Sequence, residues 1–268
     1  MALAYPFLYH PCWTMNRTTL WERIHLPIAK KCNLRCNYCD TLSNTCHSIG
    51  PGSSVRSFTV DEAWEILTRE LSKRRNLHIV GISGPGEPLH NHETFEFLEK
   101  LSRFRPSMKV CISTNGILLS NSVETLADLG VDSLSISINA ASPETASKLY
   151  GVPSIERSAE VIRNQLDGIQ KAREFCIPVK VNTILVPGVN SEELEEIAKK
   201  ISEAGALLQN IVPLVPRGSM SNHRPPTMDE IRNARIQASK HITQFIHCMQ
   251  CRSDVVGIPG MDSVLSLN

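Results

Sequence analysis

Two periodicities alternate along the middle of this chain. Ala63, Ile66, Leu67 and Leu71 recur at helical spacing behind Thr59-Val-Asp-Glu62, whose threonine and glutamate form a capping box. Leu194, Ile197, Ala198 and Ile201 repeat the same stripe after Asn190 and Ser191, either of which can cap the helix. Ser142-Pro143 starts another helix, because proline in the first turn has no N–H to waste. Between these stripes lie short runs of strand character at Arg23–Ile28, His78–Ser83, Lys109–Ser113, Ser133–Asn139, Val179–Val186 and Gln209–Leu214. About six strand–helix units follow, and such alternation implies parallel strands, right-handed crossovers and helices outside. The pattern alone is shared by an open barrel and a doubly wound sheet.

The length suits either two small domains or one α/β barrel. The chain has 268 residues, 41% of them hydrophobic, enough for a core that needs no disulfides. Its 28 basic and 27 acidic side chains nearly cancel, which argues against nucleic acid or a membrane surface as partner. No apolar run approaches the ~20 residues of a bilayer span. The apolar opening Met-Ala-Leu-Ala-Tyr-Pro lacks a basic leader and is broken by Pro6, so a cytoplasmic location is expected. Nine cysteines, several clustered and near histidines, point to metal chemistry in a reducing compartment.

Cys32, Cys36 and Cys39 stand at spacings of four and three directly after the first strand. Three thiols so close together suit a loop around a metal centre better than a strand or helix core. Thiolates select iron–sulfur clusters, zinc or Cu(I), and an ordinary cubane takes four of them. Structural zinc prefers four ligands built from pairs, so it is the lesser reading. With three local thiols, either a distant residue completes the cubane or one iron stays open for a small molecule. Gly84-Pro85-Gly86-Glu87 follows the second strand, where glycines let backbone approach a ligand. Ligands of parallel α/β folds gather at these carboxyl ends. Thr114, Ser137, Asn139 and Asn182 end other strands with polar groups, although such residues often only cap a turn.

The Cys-x-x-x-Cys-x-x-Cys run resembles the hallmark loop of radical S-adenosylmethionine (radical SAM) enzymes. That resemblance selects a partial, open (β/α)6 barrel. It implies a 4Fe–4S cluster on Cys32, Cys36 and Cys39, whose open iron binds the methionine moiety of SAM. Gly84, Pro85, Gly86 and Glu87 correspond to the motif that holds the SAM amino group, with Pro85 in place of its second glycine. Tyr38 matches the aromatic beside the adenine, and Thr114, Ser137, Asn139 and Asn182 occupy other cofactor-binding positions.

Six cysteines remain. Cys248-Met-Gln-Cys251 is a chelating pair that needs outside partners, and no thioredoxin-like unit surrounds it to make it a redox dithiol. Cys111 in the third strand and Cys176 before the fifth would by position alone be inert core thiols, and for Cys176 that is the expectation. Together with His10-Pro-Cys12, Arg23-Ile-His25, Asn44-Thr-Cys46, Lys180-Val-Asn-Thr183, Val186-Pro-Gly-Val-Asn190 and Cys251-Arg-Ser-Asp254, these motifs are similar in order and spacing to the NifB family. The similarity runs from about His10 to Gly257. One stretch departs: Met15–Leu20 stands where that family commonly has an Ala-His-His-Lys-like run.

The NifB resemblance implies two auxiliary 4Fe–4S clusters as substrates, one on His25, Cys46 and Cys111, the other on Cys12, Cys248 and Cys251. His10 competes with His25 for the imidazole position. It implies an N-terminal cluster-binding extension (1–22), the barrel (23–216) and a C-terminal helix and Cys-x-x-Cys extension (217–268), the stand-alone form without a fused carrier domain. The expected activity is that of a radical SAM lyase or synthase of nitrogen fixation, fusing two 4Fe–4S clusters with a SAM-derived carbide and an added sulfur into the 8Fe–9S–C precursor of the nitrogenase cofactor. Expected partners are SAM, an external electron donor of ferredoxin or flavodoxin type, and cluster-delivery and cofactor-carrier proteins. The competing readings are a radical SAM cyclase or peptide maturase with auxiliary clusters, and a non-catalytic iron–sulfur carrier, which would have no use for the Gly84–Glu87 motif.

Overall fold

The computed structural model of the chain describes residues 5–15, 20–40, 51–104 and 108–266. Its first half runs β1 (Glu22–Leu26), α1 (Val60–Lys73), β2 (Leu77–Ile82), α2 (His92–Phe104), β3 (Lys109–Thr114), α3 (Leu119–Asp128) and β4 (Ser133–Ser137). The second half continues with α4 (Pro143–Tyr150), α5 (Ile155–Glu174), β5 (Val179–Leu185), α6 (Leu194–Ala204), β6 (Leu208–Pro213), α7 (Met228–Ala238), β7 (Val255–Gly257) and β8 (Ser263–Val264). Strands pair in the order β6-β5-β4-β3-β2-β1-β7-β8. The first six are parallel neighbours, whereas β7 joins β1 antiparallel and β8 joins β7. The sheet does not close on itself, as the open-barrel expectation requires.

Local chemistry accounts for the elements. Thr59 and Glu62 complete both halves of the capping box of α1. Ser142 caps α4, and Gly151 ends it in the left-handed conformation that favours glycine. Along each strand, alternate residues face opposite sides. Ile24, Leu26, Val80, Ile82, Val110, Ile112, Leu134, Ile136 and Val181 belong to one buried core shared with the helices. Each such side chain contributes roughly 1.5–3 kcal/mol by leaving water. The outer face therefore carries stability, and the inner face is free for polar groups.

The inner face falls into rows. His25, Gly81, Cys111 and Ser133 are register partners across β1 to β4. Ser113, Ser135, Lys180 and Leu208 form a second row, and Ser137, Asn182 and Asn210 a third. A run such as Ser-Leu-Ser-Ile-Ser in β4 thus reads directly as core outside and chemistry inside.

The structure departs from sequence expectation in three places. Asn190 and Ser191 do not cap α6, whose N-cap Glu193 makes no side-chain cap bond. Asn190 instead accepts from Val186 N–H and donates to the carbonyls of Asn139 and Ile184, tying the ends of β4 and β5 together. Cys176 is exposed in a turn with φ 56°, not a core thiol. The antiparallel pair β7–β8 covers the β1 edge, an addition too short to show periodicity. Cys46 and residues 16–19 of the divergent stretch lie outside the described residues.

Candidate active site

The cysteine loop leaves the carboxyl end of β1 and is held from several sides. Asn91 accepts from the N–H groups of Lys30 and Lys31 at 3.1 Å and donates to the carbonyls of Lys31 and Glu87 at 2.8 Å. Asn115 at the end of β3 donates to Asn33 at 2.6 Å. A Cβ on Gly151 would come within 2.2 Å of the Arg35 carbonyl, and one on Gly218 within 2.7 Å of the Cys39 carbonyl. Only glycine permits those approaches. Cys39 is exposed, while Cys32 and Cys36 are partly so. Burial pushes the Cys36 thiol up to about 12 and raises Cys32 as well, so metal must displace their protons.

Gly84–Glu87 packs on the start of this loop. Gly86 and Glu87 donate backbone N–H groups to the carbonyls of Ala29 and Lys31, and a Cβ on Gly86 would lie 2.2 Å from Lys31 O. Gly84 has φ +59°, with space closed by the carbonyl of Gly52. Glu87, 3% exposed, does not face an open pocket. Its carboxylate accepts from Leu89 N–H at 3.0 Å, the Thr114 hydroxyl at 2.5 Å and Asn115 N–H at 2.6 Å. Burial raises its pKa despite these bonds. Glu87 and Thr114 thus brace the β2 and β3 ends against each other.

Tyr38 and Asn139 are brought together: the Asn139 amide donates to the Tyr38 hydroxyl at 2.8 Å and accepts from Ile184 N–H at 2.8 Å. Asn139 therefore orients the aromatic and holds β5, with both side-chain ends engaged. A cavity of about 130 Å³ opens beside them, lined by Tyr38, Cys39, Ile184, Val212, Leu214 and Gln250. Ser137 ends β4, while its row partners Asn182 and Asn210 lie within β5 and β6 rather than at their ends. Asn210 donates to Asn182 at 2.9 Å, and its own buried Oδ1 has no partner among the described residues. The donor set of Cys32, Cys36 and Cys39 suits a cubane with one iron left open, and the apolar slot beside Tyr38 adjoins it at Cys39. Asn91 and Asn210 were not singled out by sequence. Only Asn210 carries a signal, the polar alternation of its strand.

Deeper in the barrel lie the other described ligand candidates, drawn from both ends of the chain. His25 lies over Gly81, where a Cβ would meet its Cδ2 at 2.5 Å and its Nε2 at 3.1 Å, and Cys111 is the register partner beyond Gly81. Cys12 and Cys248 pack on one small apolar cluster of Trp13, Leu208 and Phe245. Cys251 interacts electrostatically with Cys12 and Arg23, and Cys111 with Cys12 and Lys180. Burial pushes the Cys111 thiol up to about 11 and Cys251 to about 12. Among the described residues no three His, Cys, Asp or Glu side chains converge as on a single ion. Thiolates of a cubane bind separate corner irons, so such convergence is not its requirement.

Hydrogen bonds separate the two histidines. His25 Nδ1 faces the Arg252 carbonyl at 3.2 Å, and a carbonyl only accepts, which assigns the proton to Nδ1 and the lone pair to Nε2. His10 Nδ1 accepts from Cys12 N–H at 3.1 Å, which assigns its proton to Nε2. Burial, then the charge of Arg23, pushes His25 down to about 3; burial, then the charge of Lys180, holds His10 well below the ordinary value. Both rings are neutral, and only His25 presents a lone pair to the interior.

Arg252 is held by its neighbours. It pairs with Asp254 at 2.8 Å, and Asp254 accepts from Val55 N–H at 2.7 Å. Ser253 bonds the carbonyls of Gly52 and Ser53, and Gly52 N–H donates to Cys251 O. The Cys-Arg-Ser-Asp run thus anchors the C-terminal segment to residues 52–55 and aims the carbonyl that orients His25.

Comparison with known proteins agrees with this geometry. The sequence model of the radical SAM superfamily matches residues 26–201. The chain is 38% identical over 258 residues to the FeMo cofactor biosynthesis protein NifB of Methanocaldococcus infernus, covering 93% of this chain and 85% of that protein. The NifB of Klebsiella pneumoniae is 31% identical, with 94% of this chain and 57% of that protein covered. Among solved structures, Streptococcus suis SuiB superposes with TM-score 0.62 at 15% identity, over 85% of this chain and 49% of that one. Methylornithine synthase superposes with TM-score 0.55 at 12% identity, over 91% and 74%. These two show the fold alone. No helix among the described residues is long and apolar enough to cross a membrane.

Proposed function

The chain belongs to the NifB family of the radical SAM superfamily, and from that premise we propose that it builds the iron–sulfur precursor of the nitrogenase FeMo cofactor. In this reading Cys32, Cys36 and Cys39 hold the SAM-binding 4Fe–4S cluster, which supplies one electron to cleave SAM into methionine and a 5′-deoxyadenosyl radical. Two further 4Fe–4S clusters are substrates. Cys111, Cys46 and His25 through Nε2 hold one; Cys12, Cys248 and Cys251 hold the other. The product joins both around a carbon from the SAM methyl group, with one added sulfur. Electrons come from a ferredoxin- or flavodoxin-type donor, and a carrier protein takes the product. The segments 1–22 and 217–268 serve as cluster-holding extensions of the barrel 23–216.

The protein's own share is positioning and exclusion of water. Tyr38, oriented by Asn139, flanks the adenine slot. Ser137, Asn182 and Asn210 offer polar groups to the ribose and carboxylate. The Gly84-Pro85-Gly86 backbone meets the amino group, while Glu87 and Thr114 fix that loop from behind. The observation that carries the reading is the polar inner face, on which His25 and Cys111 flank a side-chain-free Gly81, with Cys12 and Cys251 adjoining.

The test is anaerobic iron content and EPR of the reconstituted protein with and without SAM, against a variant with Cys12, Cys248 and Cys251 all changed to alanine. The reading predicts about twelve irons in the parent and about eight in the variant. A SAM-dependent loss of the auxiliary signals is expected only in the parent. About four irons in both proteins would overturn it.

A further inference from the structure

Lys180, the second residue of β5, is only 4% exposed and faces the barrel interior between Ser135 and Leu208. An ammonium has three donors, and here one is used, to the Cys12 carbonyl at 2.8 Å. Two aromatic faces flank it, Phe245 at 5.2 Å and Trp13 at 5.9 Å from the ring centroids. Among the described residues no carboxylate pairs with it. Arg23, also a buried cation among the described residues, differs: its guanidinium is paired with Asp262 and bonds the Gly257 carbonyl. A buried, unpaired charge is costly, and cation–π contacts offset only part of that cost.

What surrounds Lys180 is a set of iron ligands in waiting. Its field acts on the Cys111 thiol and on His10 and His25. Each thiolate adds a negative charge, so an oxidised cubane on the three thiolates of the Cys12 set is an anion, whereas one on Cys46, Cys111 and the neutral His25 ring becomes an anion on reduction. Once reduced, the two clusters repel side by side, most strongly where water is excluded.

On the ligand division proposed above, we propose that Lys180 is the shared counter-ion of the two substrate clusters, placed between the Cys12 and Cys111 sets to retain both and to reduce the repulsion that joining them must overcome. It is a positioning residue: it touches the Cys12 carbonyl and acts through charge.

Lys180→Met keeps the length of the side chain and removes its charge; Lys180→Arg keeps the charge. Three readouts apply: unfolding of the metal-free protein, iron per chain after anaerobic reconstitution, and the reduction potential of the auxiliary clusters by EPR titration. The proposal predicts that metal-free Lys180→Met is at least as stable as the parent, because an uncompensated buried charge is gone. Loaded with iron, it falls from about twelve irons to about eight or fewer. Any auxiliary cluster it keeps has a lower potential than in the parent, since reduction adds negative charge that no cation answers. Lys180→Arg retains the parental iron. Parental iron and an unchanged potential in Lys180→Met would overturn the proposal. So would a destabilised metal-free Lys180→Met, which would make the bond to Cys12 a structural tie. A parent that itself binds about four irons would instead overturn the functional reading on which the proposal rests.

Discussion

Gly81→Ala is a one-carbon perturbation whose sign depends on His25. Gly81 lies in β2 and is not among the glycines with positive φ, so alanine fits its backbone. Without a neighbour in the way, the change should stabilise by about 0.4–1 kcal/mol, since it removes freedom from the unfolded chain. The new Cβ, however, would stand 2.5 Å from His25 Cδ2 and 3.1 Å from Nε2. The ring must move, and forced repacking of this kind costs about 1–3 kcal/mol. In the parent, Gly81→Ala should therefore destabilise by up to about 2 kcal/mol. In a His25→Ala background the obstacle is gone and the same change should stabilise. The cycle closes with a coupling of about 1–3 kcal/mol, measurable by urea unfolding of the metal-free proteins. It also appears as a difference of several degrees in melting temperature, at about 2–4 °C per kcal/mol for a chain of this size. Equal effects in both backgrounds would refute the placement of His25 over Gly81. Because the ring carries the lone pair proposed for iron, Gly81→Ala should also lower auxiliary iron content.

Alanine at Cys32, Cys36 and Cys39 together should remove about four of about twelve irons. It should abolish reductive SAM cleavage while the auxiliary EPR signals persist; loss of all iron would contradict the separation of the sites. Glu193→Gln tests a carboxylate that accepts from Ala141 N–H at 2.7 Å and the Thr145 hydroxyl at 2.6 Å, and also from the Ser142 N–H and hydroxyl. Burial pushes its pKa up, but these bonds outweigh burial and leave it below the ordinary value. A lowered folded pKa means stabilisation that is complete above the unfolded value of about 4.3 and lost as pH falls through the folded one. Glu193→Gln should cost about 1–3 kcal/mol near pH 7 and flatten the acid side of the stability profile, read by urea unfolding across pH. An unchanged acid side would count against it.

Much of this architecture is legible in the chain because its signals are local. The capping box at Thr59 and Glu62, the Ser142 cap and the polar alternation of β4 each lie within a few residues. The motifs at the strand ends are likewise contiguous: Cys32–Cys39 and Gly84–Glu87. What stayed hidden depends on partners distant in sequence. Glu87 reaches Thr114 and Asn115 across a strand gap, and Asn139 engages Tyr38 from 101 residues away. Asn190 reads as a cap by type but serves as a cross-link between strand ends. Lys180 and Gly81 look like ordinary strand residues until register sets them beside Leu208 and His25. His10 and His25 differ in the direction of one hydrogen bond each, which no sequence pattern carries. β7 and β8, of three and two residues, carry no period to read.

Reconstitution with SAM labelled in its methyl carbon tests the central claim most directly. The reaction is run anaerobically with a low-potential reductant, and the clusters are extracted from the protein and separated from small molecules. The account predicts label in the extracted iron–sulfur cluster, about one carbon per eight irons, and none in the Cys12, Cys248 and Cys251 triple variant. Label confined to intact SAM, methionine or methylated protein, with 5′-deoxyadenosine still formed, would contradict carbon insertion and leave an ordinary radical SAM enzyme with two accessory clusters.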